Sequence, residues 1–266
     1  PIILIHGNPT WSFMFRRLIP ALSATHRVIV PDHIGCGLSD KPQNYPYRLE
    51  NHINNLRRLI NELNLEKIDM VVHDWGGAIG MGYAVDNPEN IHRITAMNTA
   101  AFLSEDCPWQ VRVCRTPLLG ALLVRGLNAF VNGALRTTIK HQDRMTPAIR
   151  EGFRAPYDSW AHRVAVHGFI KDIPMRKSHP THATIAYIQK RLGKLSAKPT
   201  MICWGMKDFC FTKAFLDTWK QYFPNAQIHE FSDAGHYVLE DAHERIIPQL
   251  HEFLEETETT TTQPSS

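Results

Sequence analysis

The chain has 266 residues, 29 Lys+Arg against 26 Asp+Glu for a net charge of +3, and 43% hydrophobic residues. That length suits one large domain, or one domain with a sizeable insertion, and the composition is that of an ordinary globular protein. No run of about 18 apolar residues occurs, which excludes a membrane-spanning helix; even the stretch 117–131 is cut by Gly120, Arg125, Gly126 and Asn128.

In chain order, apolar runs rich in β-branched residues predict strands over 1–6, 27–32, 68–73, 91–98, 199–205 and 227–231. Helical patterns fall between them. Over 49–63 the apolar positions Leu49, Ile53, Leu56, Ile60 and Leu63 step by four and three, tracing one helix face. Residues 78–85 and 245–254 also read as helices. Strands that are apolar nearly throughout, alternating with helices, imply a parallel sheet covered on both faces. The segment 99–198 breaks the rhythm. It has helical patches at 118–134, 147–155 and 182–190, frequent Pro and Gly, and no strand pattern. It reads as a helical cap inserted into a main domain made of 1–98 and 199–256. Residues 257–266 are Thr, Ser, Gln and Pro with one charge, a composition that predicts a disordered tail.

Charge is uneven along this plan. Residues 108–195 carry 15 Lys+Arg against 4 Asp+Glu, and the remainder carries 14 against 22. A basic cap between acidic flanks could face an acidic partner enzyme, a membrane surface or a second copy of the chain. No aromatic-interleaved nucleic-acid motif accompanies it, which favours the plainer reading of a solvated polar face. The five cysteines, Cys36, Cys107, Cys114, Cys203 and Cys210, show no zinc or redox spacing. Their odd number points to reduced thiols and a cytoplasmic protein.

Chemistry-bearing residues sit just after the strands. Strand 68–73 runs into His73-Asp74-Trp75-Gly76-Gly77 and then a helix, the pattern of a nucleophile elbow. Asp74 stands at its tip, where open α/β sheets bind ligands. As an isolated feature, Asp74 reads equally as a helix N-cap. Strand 1–6 ends in His6-Gly7-Asn8-Pro9-Thr10-Trp11, a loop whose backbone N–H groups can face the elbow. Strand 199–205 leads to Asp208, and strand 227–231 to Ser232-Asp233-Ala234-Gly235-His236. His236 is placed as a general base and Asp208 as the acid that orients it. The order nucleophile, acid, base matches the α/β-hydrolase plan.

His6-Gly7-Asn8-Pro9-Thr10-Trp11-Ser12 followed by Arg16, the run Pro31-Asp32-His33-Ile34-Gly35-Cys36-Gly37-Leu38-Ser39-Asp40-Lys41-Pro42, and Val71-Val72-His73-Asp74-Trp75-Gly76-Gly77 together resemble the haloalkane dehalogenases over nearly the whole chain. The resemblance implies Asp74 as nucleophile, His236 as base, Asp208 as acid, and Asn8 with Trp75 as halide donors. Strand 91–98 ends in Asn98, which cannot ionise, so the acid is Asp208, as in the third dehalogenase branch. Asn98-Thr99-Ala100-Ala101-Phe102, Ala155-Pro156-Tyr157-Asp158-Ser159-Trp160, Asp172-Ile173-Pro174 and His236-Tyr237-Val238-Leu239-Glu240-Asp241 resemble a subgroup shared with the β-lactone decarboxylases of olefin biosynthesis. The main expectation is therefore cleavage of a carbon–halogen bond through an alkyl–Asp74 ester, then attack by water. The alternative is decarboxylation of a β-lactone to an alkene with the same residues. Epoxide hydrolysis is a third reading; it would use Tyr157 and Tyr187 of the cap. A non-catalytic binding module fits a complete triad poorly. The substrate is expected to be small and apolar, and no cofactor or metal is implied. The resemblance also implies two strands and a hairpin ahead of Pro1 that this sequence does not carry, which would leave 27–32 as an exposed edge.

Several smaller signals read blandly. His179-Pro180-Thr181-His182 has metal-ligand spacing, but Pro180 suggests a surface loop. Asp32 and His33 read as structural. Phe130, Phe153, Trp160 and Phe169 suit a pocket wall or cap core equally.

Overall fold

Six strands form one sheet in the order β2-β1-β3-β4-β5-β6, with every neighbouring pair parallel. A computed structural model describes residues 1–261, with side chains to Glu256. The strands are β1 (Ile2–Ile5), β2 (Val28–Ile29), β3 (Ile68–Asp74), β4 (Ile91–Thr99), β5 (Thr200–Gly205) and β6 (Gln227–Phe231). The helices are α1 (Leu18–Ser23), α2 (Leu49–Glu62), α3 (Trp75–Ala84), α4 (Trp109–Cys114), α5 (Leu119–Ala121), α6 (Ala129–Thr137), α7 (Pro147–Arg154), α8 (Val164–Asp172), α9 (Pro180–Arg191), α10 (Lys213–Tyr222) and α11 (Val238–Thr261). Among the described residues no helix is long and apolar enough to cross a membrane.

Alternate strand residues feed two separate cores. Ile3, Ile5, Met70, Val72, Ile202 and Trp204 pack with α2, α3 and α10 on one face. Ile2, Leu4, Val71, Met97, Met201 and Cys203 pack with Leu18, Leu22, Ile246, Leu250 and Phe253 on the other. A period of two along each strand makes this division, and helices on both sides keep the sheet dry. The predicted face of α2 is buried at Leu49, Ile53, Leu56 and Ile60.

Topology fixes where a ligand can sit. From β1 the chain passes to β2 on one side, while β3 lies against β1 on the other. The β1–β3 boundary is thus the switch point of the sheet, where the loops leaving the strands diverge and open a crevice. The loops bearing Asn8 and Asp74 leave there.

Between β4 and β5 all regular structure is helical, forming an inserted cap. The pattern over 118–134 splits into α5, a π-helical segment Leu122–Gly126 and α6. Asn128 sits between them in the left-handed conformation, φ 53°, which ends the first segment. Pro180 does not open a loop. It is the first residue of α9, where its missing N–H costs nothing, and His179 Nδ1 caps the helix by accepting from Thr181 N. The buried Asp172 carboxylate joins the cap to the main domain, accepting from Leu49 N at 2.7 Å and from Thr181 Oγ1 at 2.6 Å. Its charge faces the N-terminus of α2.

Two boundaries differ from expectation. Strand 27–32 contracts to Val28–Ile29, an edge pairing with β1 alone. Pro31 lacks the N–H needed to continue the ladder. Asp32 instead accepts from Ser12 N and Leu38 N, tying the two loops together. At the other end α11 runs to Thr261, into the stretch expected to lack structure; residues 262–266 lie outside the described residues.

Candidate active site

The site grows from the elbow. Asp74 holds φ 52° and ψ −126°, an uncommon conformation for a residue with a side chain. Such strain persists only where the surroundings enforce it. Here β3 is buried throughout and α3 begins at the next residue. Gly76 and Gly77 make the bend possible. A Cβ on Gly76 would strike the Ile5 carbonyl, and one on Gly77 would strike Thr99 Oγ1, which itself donates to the Asp74 carbonyl.

Asn8 arrives from β1 across the switch point. Its backbone N–H donates to Asp74 Oδ1 at 2.6 Å. A chain of neutral imidazoles holds this loop. His6 Nδ1 lies 2.7 Å from the Gly7 carbonyl, His33 N donates to His6 Nε2 at 3.0 Å, and His33 Nε2 lies 2.8 Å from the His6 carbonyl. His52 packs edge-on to His33 and stacks on Phe169.

His236 comes from the loop after β6. Its Nδ1 is 2.8 Å from Asp208 Oδ2 and its Nε2 is 3.5 Å from Asp74 Oδ2. All three side chains are buried. The structure therefore brings Asp74, His236 and Asp208 into one line. Asp241 steadies the loop, accepting from Gly235 N and from Lys140 N and His141 N of the cap. Next to it, Glu240 makes a two-pronged bond with Arg16.

The electrostatics are those of a resting ion pair. Burial works against the His236 imidazolium, but Asp208 and then Asp74 outweigh it and push its pKa up to about 10. Burial likewise opposes the Asp74 carboxylate, yet His236, His73 and the Asn8 N–H hold its pKa below the usual carboxylate range. Asp74 is thus ionised without a base to activate it.

These shifts set a stability profile. Burial pushes His6 and His73 down to about 4 and His33 down to about 3, and His52 well below its ordinary value of 6.5. Below pH 6.5 the unfolded chain takes up protons at these sites that the folded chain refuses, so stability falls toward pH 4. His236 acts oppositely. Its contribution is complete below 6.5 and is lost as pH rises toward 10. Thermal melts are expected to peak between these limbs, and Asp208→Asn to flatten the alkaline one. A melting temperature unchanged from pH 7 to pH 10 would contradict the ion pair.

Sequence reasoning missed Asn98 as a positioning residue. It is fully buried at the end of β4, with φ 35°. Its Nδ2 donates to Asp208 Oδ2 at 2.9 Å and to the Gly205 carbonyl at 3.1 Å, and its Oδ1 accepts from Gly205 N at 2.8 Å. It fixes Asp208 against the end of β5. The available signal was adjacency: β4 pairs with β5, so the residue ending one strand reaches the residue following the other. Asn98→Ala is expected to lower kcat by roughly 10- to 100-fold, the scale of a misplaced catalytic group. It should also displace the pH profile of activity. A variant with wild-type kcat and pH profile would remove Asn98 from this role.

Above the triad lies a cavity of about 310 Å³, reached by Asn8, Asp74, Trp75 and His236 and walled mostly by apolar groups such as Phe102, Phe130, Ile170, Ile185, Phe211 and Phe215. Asn8 and Trp75 thus line the cavity together with the Asp74 carboxylate, although one Asn8 Nδ2 hydrogen is directed to the Val166 carbonyl at 3.3 Å. Of the four cap aromatics weighed from sequence, Phe130 lines the cavity. Phe169 supports Trp75 from behind, Phe153 is core, and Trp160 is exposed. The tyrosines required for epoxide opening are elsewhere. Tyr157 is buried and donates to the Thr10 carbonyl, and Tyr187 lies at the surface on Asp86. No cluster of three or more metal-ligating side chains occurs among the described residues.

A family model described as the alpha/beta hydrolase fold matches residues 1–243. The chain belongs to the alpha/beta hydrolase fold family. Within it, the chain is 48% identical over 99% of its length to a cis-3-alkyl-4-alkyloxetan-2-one decarboxylase of Shewanella oneidensis, covering 84% of that protein. A decarboxylase of the same name from Xanthomonas campestris is 38% identical over 96% of this chain and 88% of its own length. Haloalkane dehalogenase 2 of Mycobacterium tuberculosis is 31% identical over 95% of this chain and 87% of its own. The crystal structure of haloalkane dehalogenase DbeA from Bradyrhizobium elkani superposes with a TM-score of 0.88 over 97% of this chain and 91% of that one. At 23% identity, it demonstrates the shared fold.

Proposed function

We propose that this α/β hydrolase is a β-lactone decarboxylase, converting a cis-3,4-dialkyl-oxetan-2-one to a cis alkene and carbon dioxide. The observation that carries this reading is the 48% identity to the Shewanella oneidensis decarboxylase, against 31% to the mycobacterial dehalogenase. The apolar cavity wall suits two alkyl arms, and the nucleophile with the donors that line the same cavity suits a leaving carboxylate.

In this mechanism an Asp74 carboxylate oxygen attacks C4 of the lactone ring. The C4–O bond breaks, and the ring oxygen becomes part of a free carboxylate on C3. Asn8 and Trp75 donate to that carboxylate as its charge develops. The C3–carboxylate bond then breaks. Its electron pair forms the C3=C4 double bond, carbon dioxide leaves, and the Asp74–C4 bond returns its electrons to Asp74. The His236 imidazolium favours this departure by stabilising the restored carboxylate. Inversion at C4 followed by anti elimination turns a cis lactone into a cis alkene. Water is not consumed.

The test is gas chromatography after incubating the protein with a cis-dialkyl β-lactone. One cis alkene per lactone is expected. Accumulation of the β-hydroxy acid with no alkene would refute the reading. The main expectation from sequence, halide displacement, keeps a place because Asn8 and Trp75 line the cavity with Asp74; halide release from 1-bromohexane measures it in parallel. We also infer a reducing, cytoplasmic site of action, supported by five free cysteines.

A further inference from the structure

The segment that roofs the cavity has an unusual outer face. On its inner side Pro108, Val111, Cys114, Ala129 and Phe130 line the cavity. On its outer side Leu118 is 88% exposed, Trp109 70% and Leu127 63%, with Leu119 and Leu122 about half exposed. Leu118, Leu122 and Leu127 follow one another along successive turns. Leu122 N bonds to the Leu118 carbonyl, Leu127 N bonds to the Leu122 carbonyl, and Gly126 lies against both Leu122 and the exposed Trp160. Leu118 also holds φ 59°, a conformation that nothing packed on its side chain offsets.

The charge around the strip is one-sided. Between Cys107 and Gln142 there is no Asp or Glu, while Arg112, Arg115, Arg125, Arg136 and Lys140 all fall there. Arg112, Arg136 and Lys140 are exposed, while Arg115 turns inward to the Ile170 carbonyl with Asp172 nearby. Arg125 lies over the Trp160 ring at 4.8 Å. Glu105 and Asp106 stand just ahead of the segment, and Asp158, beside Trp160, is held by His162. Exposed Leu and Trp bordered by exposed Arg is the chemistry of an interfacial surface for anionic lipid. Charge complementarity thus favours a bilayer over a second copy, which would bring like-charged arginines together.

We propose that the outer face of α4, α5 and the following π-helical turn seats the protein on an anionic lipid bilayer, placing the cavity roof at the membrane surface. This goes beyond the decarboxylase reading, and its test does not depend on the substrate.

The experiment is co-sedimentation of the full chain with sucrose-loaded vesicles, of phosphatidylcholine alone or mixed with phosphatidylglycerol. Binding is expected to the mixed vesicles and to weaken at high salt. The triple variant Leu118→Ser, Leu119→Ser, Leu122→Ser should bind at least about tenfold more weakly, since binding scales with inserted apolar area. Its melting temperature should stay within a few degrees of wild type, because these side chains are exposed. No binding to either vesicle would overturn the proposal. So would a dimer that the triple variant dissociates and that forms whether or not lipid is present, which would assign the strip to a second copy. Vesicle binding left intact in the triple variant would place the lipid contact elsewhere and overturn it equally.

Discussion

Replacing Asp74 by alanine is expected to lower alkene formation from a cis β-lactone by at least about 10⁴-fold, the scale seen when a covalent nucleophile is removed. KM should change much less. The cavity wall that would hold the alkyl arms comes from Phe102, Phe130, Phe215 and other apolar side chains, which the substitution leaves in place. The fold should survive, because the bend depends on Gly76, Gly77 and Thr99 rather than on the Asp74 side chain. His236 would keep Asp208 but lose Asp74, so its pKa should fall from about 10. Titration of the His236 imidazole by NMR in the variant checks that half of the prediction. Alkene formation persisting at a tenth of the wild-type rate would mean that no bond to Asp74 forms.

Much of this arrangement was legible because it follows from short-range rules. The elbow is spelled out locally: an apolar strand, a carboxylate, two glycines, a helix. The strands leading to Asn8, Asp74 and Asp208 are buried throughout, as central strands of a parallel sheet must be, whereas the edge strand leading to His236, Gln227–Phe231, buries only Phe231. The strand over 27–32 was over-read for a physical reason. Apolar β-branched residues register burial, while ladder length depends on how many neighbours can bond, and Pro31 withdraws from the ladder. The helix over 118–134 was over-read because its apolar content is partly an exposed strip, which periodicity takes for core.

What stayed hidden depends on contacts between distant parts of the chain. Asn98 was weighed as an acid and set aside because it cannot ionise. Its three hydrogen bonds to Asp208 and Gly205 exist only once β4 and β5 lie side by side. The Asn8 amide shows the same thing. Its type and place suggested a donor to a leaving group, but its bond to the Val166 carbonyl spans 158 residues and comes from α8 of the cap. That bond orients the amide beside Asp74. Of the buried imidazoles, His6 belongs to the loop motif, His33 reads as structural, and nothing in the sequence singles out His52. Packed together, they are a neutral stack behind the Asn8 loop.

Substitution of His236 by alanine is expected to separate the two chemistries that one nucleophile could support. Alkylation of Asp74 by 1-bromohexane would involve no proton transfer, so halide should appear in a burst of about one equivalent and then stop. Hydrolysis of the resulting ester needs a base for water, and no other imidazole is placed for it: His73 faces the His236 carbonyl with its Nε2 at 2.8 Å and is kept neutral by burial. Mass spectrometry of the intact protein should then show one hexyl group. With a cis β-lactone the second step breaks a C–C bond and needs no water. Turnover should continue, slowed by roughly 10- to 100-fold as Asp74 departs without the neighbouring imidazolium. The ratio of the two losses is the informative quantity. A variant that forms alkene in repeated cycles yet stalls on bromohexane assigns the imidazole to water activation in one reaction and to charge stabilisation in the other. Equal arrest on both substrates would mean that water attacks the Asp74 ester in each, and would count against direct collapse of the opened lactone.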